Sequence, residues 1–180
     1  AVTVTPGGDA ALQLGLLQAY LGRREEAIRT LTFVLDQTID LTNVNDLSRA
    51  GLAARALGQF EHANSLFRDA NTLAPSNVTN NTAWGELFFE KFNQEEAGKS
   101  FSAALATDVS WVPAHVGLAR TMTESNPPVA RDIVTKALAI NPYSVPALLV
   151  LAELELNDDK QVEAFTIIQR ALKVNPNSLE

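Results

Sequence analysis

An alanine recurs at near-constant spacing along this chain, and each time it begins the apolar stripe of a predicted helix. The alanines stand at positions 27, 63, 97, 130 and 164, so the spacings are 36, 34, 33 and 34 residues. Apolar residues follow at helical spacing, which is typical of an amphipathic helix with one buried face. The five stripes are Ala27, Ile28, Leu31, Val34 and Leu35; Ala63, Phe67 and Ala70; Ala97, Phe101 and Ala104; Ala130, Val134 and Ala137; Ala164, Ile168 and Ala171. A period of this length predicts stacked helical repeats.

A second helix is predicted before each of these stripes. A small residue lies twelve positions before each alanine, or eleven before the fourth: Gly15, Gly51, Gly85, Ala119 and Ala152. Small side chains let two antiparallel helices approach closely, while large neighbours fill the gaps. Turn signals separate the paired helices: Gly22, Gly58, the prolines of ESNPP, and NDDK at 157–160. Glycine supplies the left-handed end of a helix, and proline cannot continue one.

Two near-identical phrases, ALAINP at 137–142 and ALKVNP at 171–176, are interpreted as the closing turn of a helix. Their asparagines, Asn141 and Asn175, are predicted to tolerate the left-handed conformation, and the prolines that follow disfavour helix. Ser110 and Ser144 are predicted to begin the next helices. The phrases are therefore interpreted as helix-ending segments and not as a motif for catalysis or binding.

The pattern of Leu-Gly in the first helix, Ala-x-x-x-Phe in the second and a closing proline resembles the tetratricopeptide repeat (TPR), a 34-residue helix–turn–helix unit. The resemblance implies an all-α fold, a right-handed superhelical α-solenoid of about ten antiparallel helices in five repeats. The repeats are placed at 8–41, 44–77, 78–111, 112–144 and 145–178, after a linker or tail at 1–7 and before a cloning scar at 179–180. The sequence departs from the pattern where Ile39 replaces the first closing proline and where the fourth repeat is one residue short.

Composition and motifs argue against several functions. The formal net charge of −7, from 21 acidic and 14 basic residues, disfavours nucleic-acid binding, although an RNA-binding solenoid remains an alternative. Cysteine is absent, and no apolar run reaches the roughly 18–20 residues that span a bilayer. His62 and His115 lie in different repeats and are predicted to be packing or surface residues, and Glu86 with Glu90 is interpreted as a solvated face. No enzyme activity, metal or cofactor is therefore expected, and the compartment is left open.

The expected working surface is the concave face built by the first helix of each repeat, as the TPR resemblance implies. Its predicted partner-binding residues are Tyr20, Leu52, Arg55, Glu86, Phe89, Glu90, Arg120 and Glu153. Tyr20 and Phe89 are favoured as anchors because aromatic side chains bury a large area with few rotatable bonds. The alternative is that both pack against neighbouring helices. Arg55 and Arg120 flank Glu86 and Glu90, which predicts partial mutual neutralisation.

The resemblance implies a non-enzymatic scaffold that binds a peptide segment or partner domain. Binding of a chaperone tail through a carboxylate clamp is rejected, because the matching positions hold Leu12, Leu16, Arg49, Thr79 and Ala83 and lack the lysines. The alternative is a regulatory or targeting segment of a larger enzyme whose catalytic domain lies outside this chain.

The helix predicted at 160–174 is apolar around most of its circumference, with Val162, Phe165, Ile167 and Leu172 beside its alanine stripe. A helix that is apolar on most sides is normally covered by neighbouring structure on more than one side. The sequence therefore predicts either that the parent protein continues past 178 or that this helix self-associates with a second copy.

Overall fold

The structure is a computed structural model that describes residues 8–37 and 39–176, and this part of the chain forms ten α-helices and no strand. The helices are α1 Asp9–Tyr20, α2 Arg24–Asp36, α3 Val44–Ala56, α4 Phe60–Leu73, α5 Val78–Glu90, α6 Gln94–Thr107, α7 Val112–Arg120, α8 Pro127–Ile140, α9 Val145–Asn157 and α10 Gln161–Val174. The predicted all-α fold with about ten helices is confirmed. The predicted tail at 1–7 and scar at 179–180 lie outside the described residues, and the five repeat boundaries remain a prediction.

The chain divides into two compact units, Ala1–Leu87 and Phe88–Glu180, which we call the N-terminal and C-terminal lobes. In the N-terminal lobe, α3 and α4 enclose a core around Leu47, Leu66 and Phe67. In the C-terminal lobe, α7, α8 and α9 enclose a core that includes Val134 and Leu154. Each lobe therefore has apolar cores of its own.

The predicted alanine stripes form the buried faces of the even-numbered helices. Every member is buried except Ile28, Leu35 and Ile168. Ile28 is 46% exposed, because a residue one position after Ala27 is rotated by about 100° around the helix axis and leaves the buried face. In α10 the neighbouring Ile167 takes the buried place that was assigned to Ile168. Complete burial of a side chain such as Leu31 or Phe67 contributes roughly 1.5–3 kcal/mol.

Glycines allow the close approach of neighbouring helices. The side chain that each one contacts is a large apolar residue and not the periodic alanine with which the sequence analysis had matched it. A Cβ added to Gly15 would lie 2.7 Å from Leu31, and one added to Gly51 would lie 2.6 Å from Phe67. Each glycine thus faces the large residue four positions after the alanine. Phe101 of α6 meets Gly117 of the next helix, α7, in a similar way, and the sequence analysis did not single out this glycine.

Two expectations about helix ends were wrong. Asn141 and Asn175 are extended, with φ of −132° and −138°, because a following proline excludes helical geometry from the preceding residue without requiring a positive φ. Ser110 does not cap α7; its hydroxyl donates to Asp108 Oδ1 at 2.6 Å. Ser144 does cap α9, since its hydroxyl oxygen accepts the Ala147 amide proton.

No helix in the part of the chain that the structure describes is both long and apolar enough to cross a membrane.

Candidate functional site

All eight predicted partner-binding residues lie on odd-numbered helices. Tyr20 ends α1; Leu52 and Arg55 lie on α3; Glu86, Phe89 and Glu90 lie on α5; Arg120 ends α7; Glu153 lies on α9. Tyr20 is 66% exposed, and Glu90 and Glu153 are also exposed. Their role as contact residues remains a prediction.

In the N-terminal lobe, the predicted charges neutralise each other in part. Arg55 Nη2 lies 3.7 Å from Glu86 Oε2, and the two side chains are only 22% and 23% exposed. Leu52 is half-buried and packs against both cores of this lobe, so it supports the fold as well as lining the surface. Leu52 also lines a cavity of about 300 Å³ together with Asn45 and Arg49.

Arg49 in that cavity is already engaged by carboxylates. Its Nη2 donates to Asp46 Oδ1 at 2.7 Å, and its Nη1 lies 3.5 Å from Asp9 Oδ1. A guanidinium paired in this way is a weak receptor for an additional anion, because its charge is compensated within the fold.

In the C-terminal lobe, Phe89 and Arg120 form a cation–π contact. The guanidinium carbon of Arg120 lies 4.1 Å from the centroid of the Phe89 ring, within the distance at which such pairs attract. Both side chains are half-buried. The contact joins the end of α5 to the end of α7.

Phe89, Arg120 and Glu153 line one cavity of about 290 Å³, which we call the Phe89 cavity. Its remaining lining consists of Phe92, Gln94, Thr121, Thr123, Glu124 and Ser125. The cavity therefore combines two phenyl rings, one guanidinium and two carboxylates. Three of the predicted residues meet here.

The cavity lies beside the end of α7, which is a short helix. This helix has nine residues, whereas α1 has 12 and α6 has 14. Two threonine hydroxyls donate to backbone carbonyl oxygens at the end of α7. Thr121 donates to Leu118 O at 2.7 Å, and Thr123 donates to Arg120 O at 3.2 Å. Asn126 then begins α8 by accepting the Val129 amide proton. The predicted ESNPP turn signal thus lies in the segment between α7 and α8, next to the cavity.

Phe92, which the sequence analysis missed, has the least common geometry in this site. Its φ is 58°, in the left-handed region, and its side chain is 88% exposed. The signal was present in the sequence, because Gly22 and Gly58 hold the same place in the earlier turns and have φ of 72° and 74°. Aligning these turns would have marked Phe92 as the residue that replaces glycine.

Two exposed carboxylates in the cavity have no charged partner. Glu124 and Glu153 make no ion pair with any residue that the structure describes. Elsewhere in this lobe, hydrogen bonds from Lys99 to Glu95 and Glu96 raise the pKa of the lysine. The Phe89 cavity thus holds negative charge that the described residues leave uncompensated.

Other clefts and the two histidines lie apart from the predicted residues, and one cleft, of about 520 Å³, is lined by Tyr143, Arg170 and Lys173 among others. A groove of about 760 Å³ beside α6 is lined largely by small or apolar residues such as Gly98, Ala103 and Ala106. His115 is buried, and its Nε2 lies 2.8 Å from Val109 O, which agrees with its predicted packing role. Residues 8–37 and 39–176 contain no cluster of three His, Asp or Glu side chains able to hold a metal ion.

No protein-family model and no curated protein sequence matches this chain. Solved structures do. TTC0263, a thermophilic TPR protein of Thermus thermophilus, is 19% identical over 94% of this chain and 92% of its own, with a TM-score of 0.77. The Pseudomonas aeruginosa protein pilF is 21% identical over 95% and 79%, with a TM-score of 0.71. YrrB, a TPR protein with an unusual peptide-binding site, is 13% identical over 93% and 86%, with a TM-score of 0.61.

These likenesses confirm the fold that the repeat pattern implied: this chain has the all-α solenoid fold of TPR proteins. They do not fix the number of repeats.

Proposed function

We propose that this chain is a non-enzymatic protein-interaction scaffold that binds a peptide segment of a partner through its odd-numbered helices. The observation that carries the proposal is the Phe89 cavity, where three of the predicted contact residues lie together. The remaining predicted residues, Tyr20, Leu52, Arg55, Glu86 and Glu90, are proposed as further contacts. The proposal goes beyond the TPR fold, which many different functions can share.

The size and lining of the cavity support a peptide side chain as its occupant. At about 290 Å³ it lies at the lower limit of the roughly 300–1,000 Å³ typical of small-molecule sites. Aromatic rings and arginine are the side chains that most often supply binding energy at protein interfaces. The cation–π contact holds Phe89 and Arg120 in place, so little conformational entropy is lost on binding.

The likeness to solved TPR proteins also supports a peptide partner. One of them, YrrB, has a peptide-binding site of its own. The alternative role, a regulatory or targeting segment of a larger enzyme, would use the same kind of surface and remains a prediction.

A random short-peptide display library, selected on the whole chain, tests the proposal directly. The affinity of the selected peptides is then measured for the parent and for a double variant, Phe89→Ala with Arg120→Glu. We expect a loss of roughly tenfold or more, because both residues line the same cavity. Circular dichroism establishes that the double variant is folded.

Phe33→Ala with Arg29→Glu is the matched control. It applies the same two kinds of substitution to residues of α2, both exposed and on an even-numbered helix. The control is expected to bind as the parent does. Selected peptides that bind the first double variant with unchanged affinity, or that lose affinity equally for the control, would refute the proposed site.

A further inference from the structure

We infer that Phe92 is an anchor for the partner segment, and that the segment presents an apolar side chain beside a lysine or arginine. The inference rests on the proposed function and specifies the chemistry of the partner. It is carried by the backbone of Phe92, by its exposure and by the charges around the Phe89 cavity.

The backbone at Phe92 has the geometry of a glycine turn. The Phe92 amide donates to Phe89 O and the Asn93 amide donates to Phe88 O, both at 3.0 Å. The same two hydrogen bonds close the earlier turn at Gly58, whose amide donates to Arg55 O while the next amide donates to Ala54 O. This helix ending favours glycine at the left-handed position, because a Cβ there crowds the backbone.

Nothing in the described fold compensates for a phenylalanine in that position. Asp159 has the same conformation in the turn after α9, with φ of 59°, but aspartate is among the residues that tolerate it. Phe92 is a bulky residue, and its 88% exposed side chain gains little from burial within this chain. Contact with a partner would bury the ring and provide the favourable free energy of apolar burial that folding of this chain alone does not provide.

Phe92 lies where such a contact would reach the proposed site. It lines the Phe89 cavity with Phe89 itself, so two phenyl groups border the same opening. An apolar side chain entering the cavity would contact both, and aromatic rings are well suited to such anchoring.

The charges of the cavity determine which kind of partner residue is favoured beside that apolar side chain. Glu124 and Glu153 contribute two carboxylates without an ion pair among the described residues, whereas Arg120 contributes one positive charge and lies over Phe89. The lining therefore carries a net negative charge, which favours a cation on the partner. A lysine or arginine would meet these carboxylates, and its charge would also be attracted to an exposed aromatic face.

Peptides selected from the random library on the unmodified chain provide the test. We expect lysine or arginine next to a large apolar residue to be enriched among them. Affinity should fall roughly tenfold for Phe92→Gly, which keeps the turn and removes only the ring. It should fall by a smaller factor for Glu124→Gln with Glu153→Gln, and for peptides whose basic residues are replaced by glutamate.

Asp159→Gly is the matched control, because it makes the same backbone change in the equivalent turn of the same lobe. Its affinity should equal that of the parent. Two results would overturn the inference: no enrichment of basic residues, or selected peptides that bind Phe92→Gly as tightly as the parent. If those peptides still depend on Phe89 and Arg120, the proposed function stands and only this inference fails; if they depend on neither, both fail.

Discussion

Asn80, fully buried in the N-terminal lobe, donates from Nδ2 to the backbone carbonyl oxygen of Phe67 at 3.0 Å. Its Oδ1 accepts a hydrogen bond from the Ser48 hydroxyl, also at 3.0 Å. One amide thereby joins α5 to both α3 and α4. Because a buried amide without partners would be costly, this satisfied arrangement specifies how the three helices fit together.

Replacing Asn80 by alanine is expected to lower the free energy of unfolding by about 1–3 kcal/mol, since it removes both hydrogen bonds and leaves a small void. Ser48→Ala should lower it by less, because only one hydrogen bond is lost. Urea denaturation of the purified chain measures both. Thr79→Ala, at the exposed neighbouring position, is the control; a loss for Asn80→Ala no greater than for this control would contradict the prediction.

Two helical glycines should respond in opposite directions to the same substitution. Alanine normally stabilises a helix interior by roughly 1 kcal/mol relative to glycine. At Gly51, however, the added Cβ would lie 2.6 Å from the Phe67 ring, which is itself fully buried. Overpacking of this kind typically costs about 1–3 kcal/mol, so Gly51→Ala is expected to destabilise the protein.

At Gly98 of α6 the nearest atoms would be 3.8 Å from the new Cβ, an ordinary contact distance. Gly98→Ala should therefore raise the unfolding free energy by about 0.5–1 kcal/mol. Thermal and urea denaturation of the two variants provide the comparison. The interpretation of Gly51 as a close-packing residue fails if both substitutions shift stability in the same direction.

Phe92→Gly is expected to stabilise the fold while it weakens peptide binding. The left-handed conformation is unfavourable for a residue with a Cβ by about 1–2 kcal/mol, and glycine removes that penalty at the expense of some unfolded-state entropy. A net gain of roughly 0.5–1 kcal/mol is expected, with a smaller gain for Asp159→Gly, since aspartate tolerates this geometry better. Urea denaturation measures both, and a destabilised Phe92→Gly variant would show that the ring supports the fold.

The period of the alanines predicted stacked helical repeats, because a small residue buried at each helix crossing recurs at a regular spacing, and the TPR resemblance supplied the rest of the predicted fold. Ala63, Ala97 and Ala130 are all buried as predicted. The backbone geometry at the helix ends was harder to predict from the sequence. An asparagine before proline suits more than one backbone geometry, and local preference alone did not distinguish them at Asn141.

The candidate site was only partly predictable from the sequence, because the contacts that form it depend on how the helices pack. The repeat pattern placed Phe89 and Arg120 on the first helices of their repeats, but the cation–π contact between them depends on tertiary geometry, which helix periodicity does not specify. Phe92 lies in a turn, outside the apolar helix stripes, and only an alignment with the turns at Gly22 and Gly58 would have marked it. Asn80 was also missed, because a polar residue in a helix gives no sign that it will be buried.

An ion-pair cluster in the C-terminal lobe should make stability depend on pH in the acid range. Asp158 Oδ2 accepts from Lys160 Nζ at 3.1 Å and from Arg131 Nη2 at 2.9 Å. The hydrogen bond from Lys160, opposed in part by desolvation and reinforced by the charges of both cations, holds the pKa of Asp158 below its usual value of 3.8. Because the folded-state pKa is depressed, the carboxylate stabilises the fold above the unfolded-state pKa, and this contribution is lost as the pH falls through the folded-state pKa.

Asp158→Asn is therefore expected to destabilise the protein at neutral pH, and its difference from the parent should shrink as the pH falls below 3.8, the usual pKa of this carboxyl. Urea denaturation of the parent and the variant across this range measures the difference. Asp159→Asn is the matched control, since asparagine keeps the left-handed turn and the substitution removes an adjacent charge of the same sign. A gap between the parent and Asp158→Asn that stays constant from neutral to acid pH would show that the loss comes from packing or hydrogen bonding alone, and that the charge of Asp158 does not stabilise the lobe.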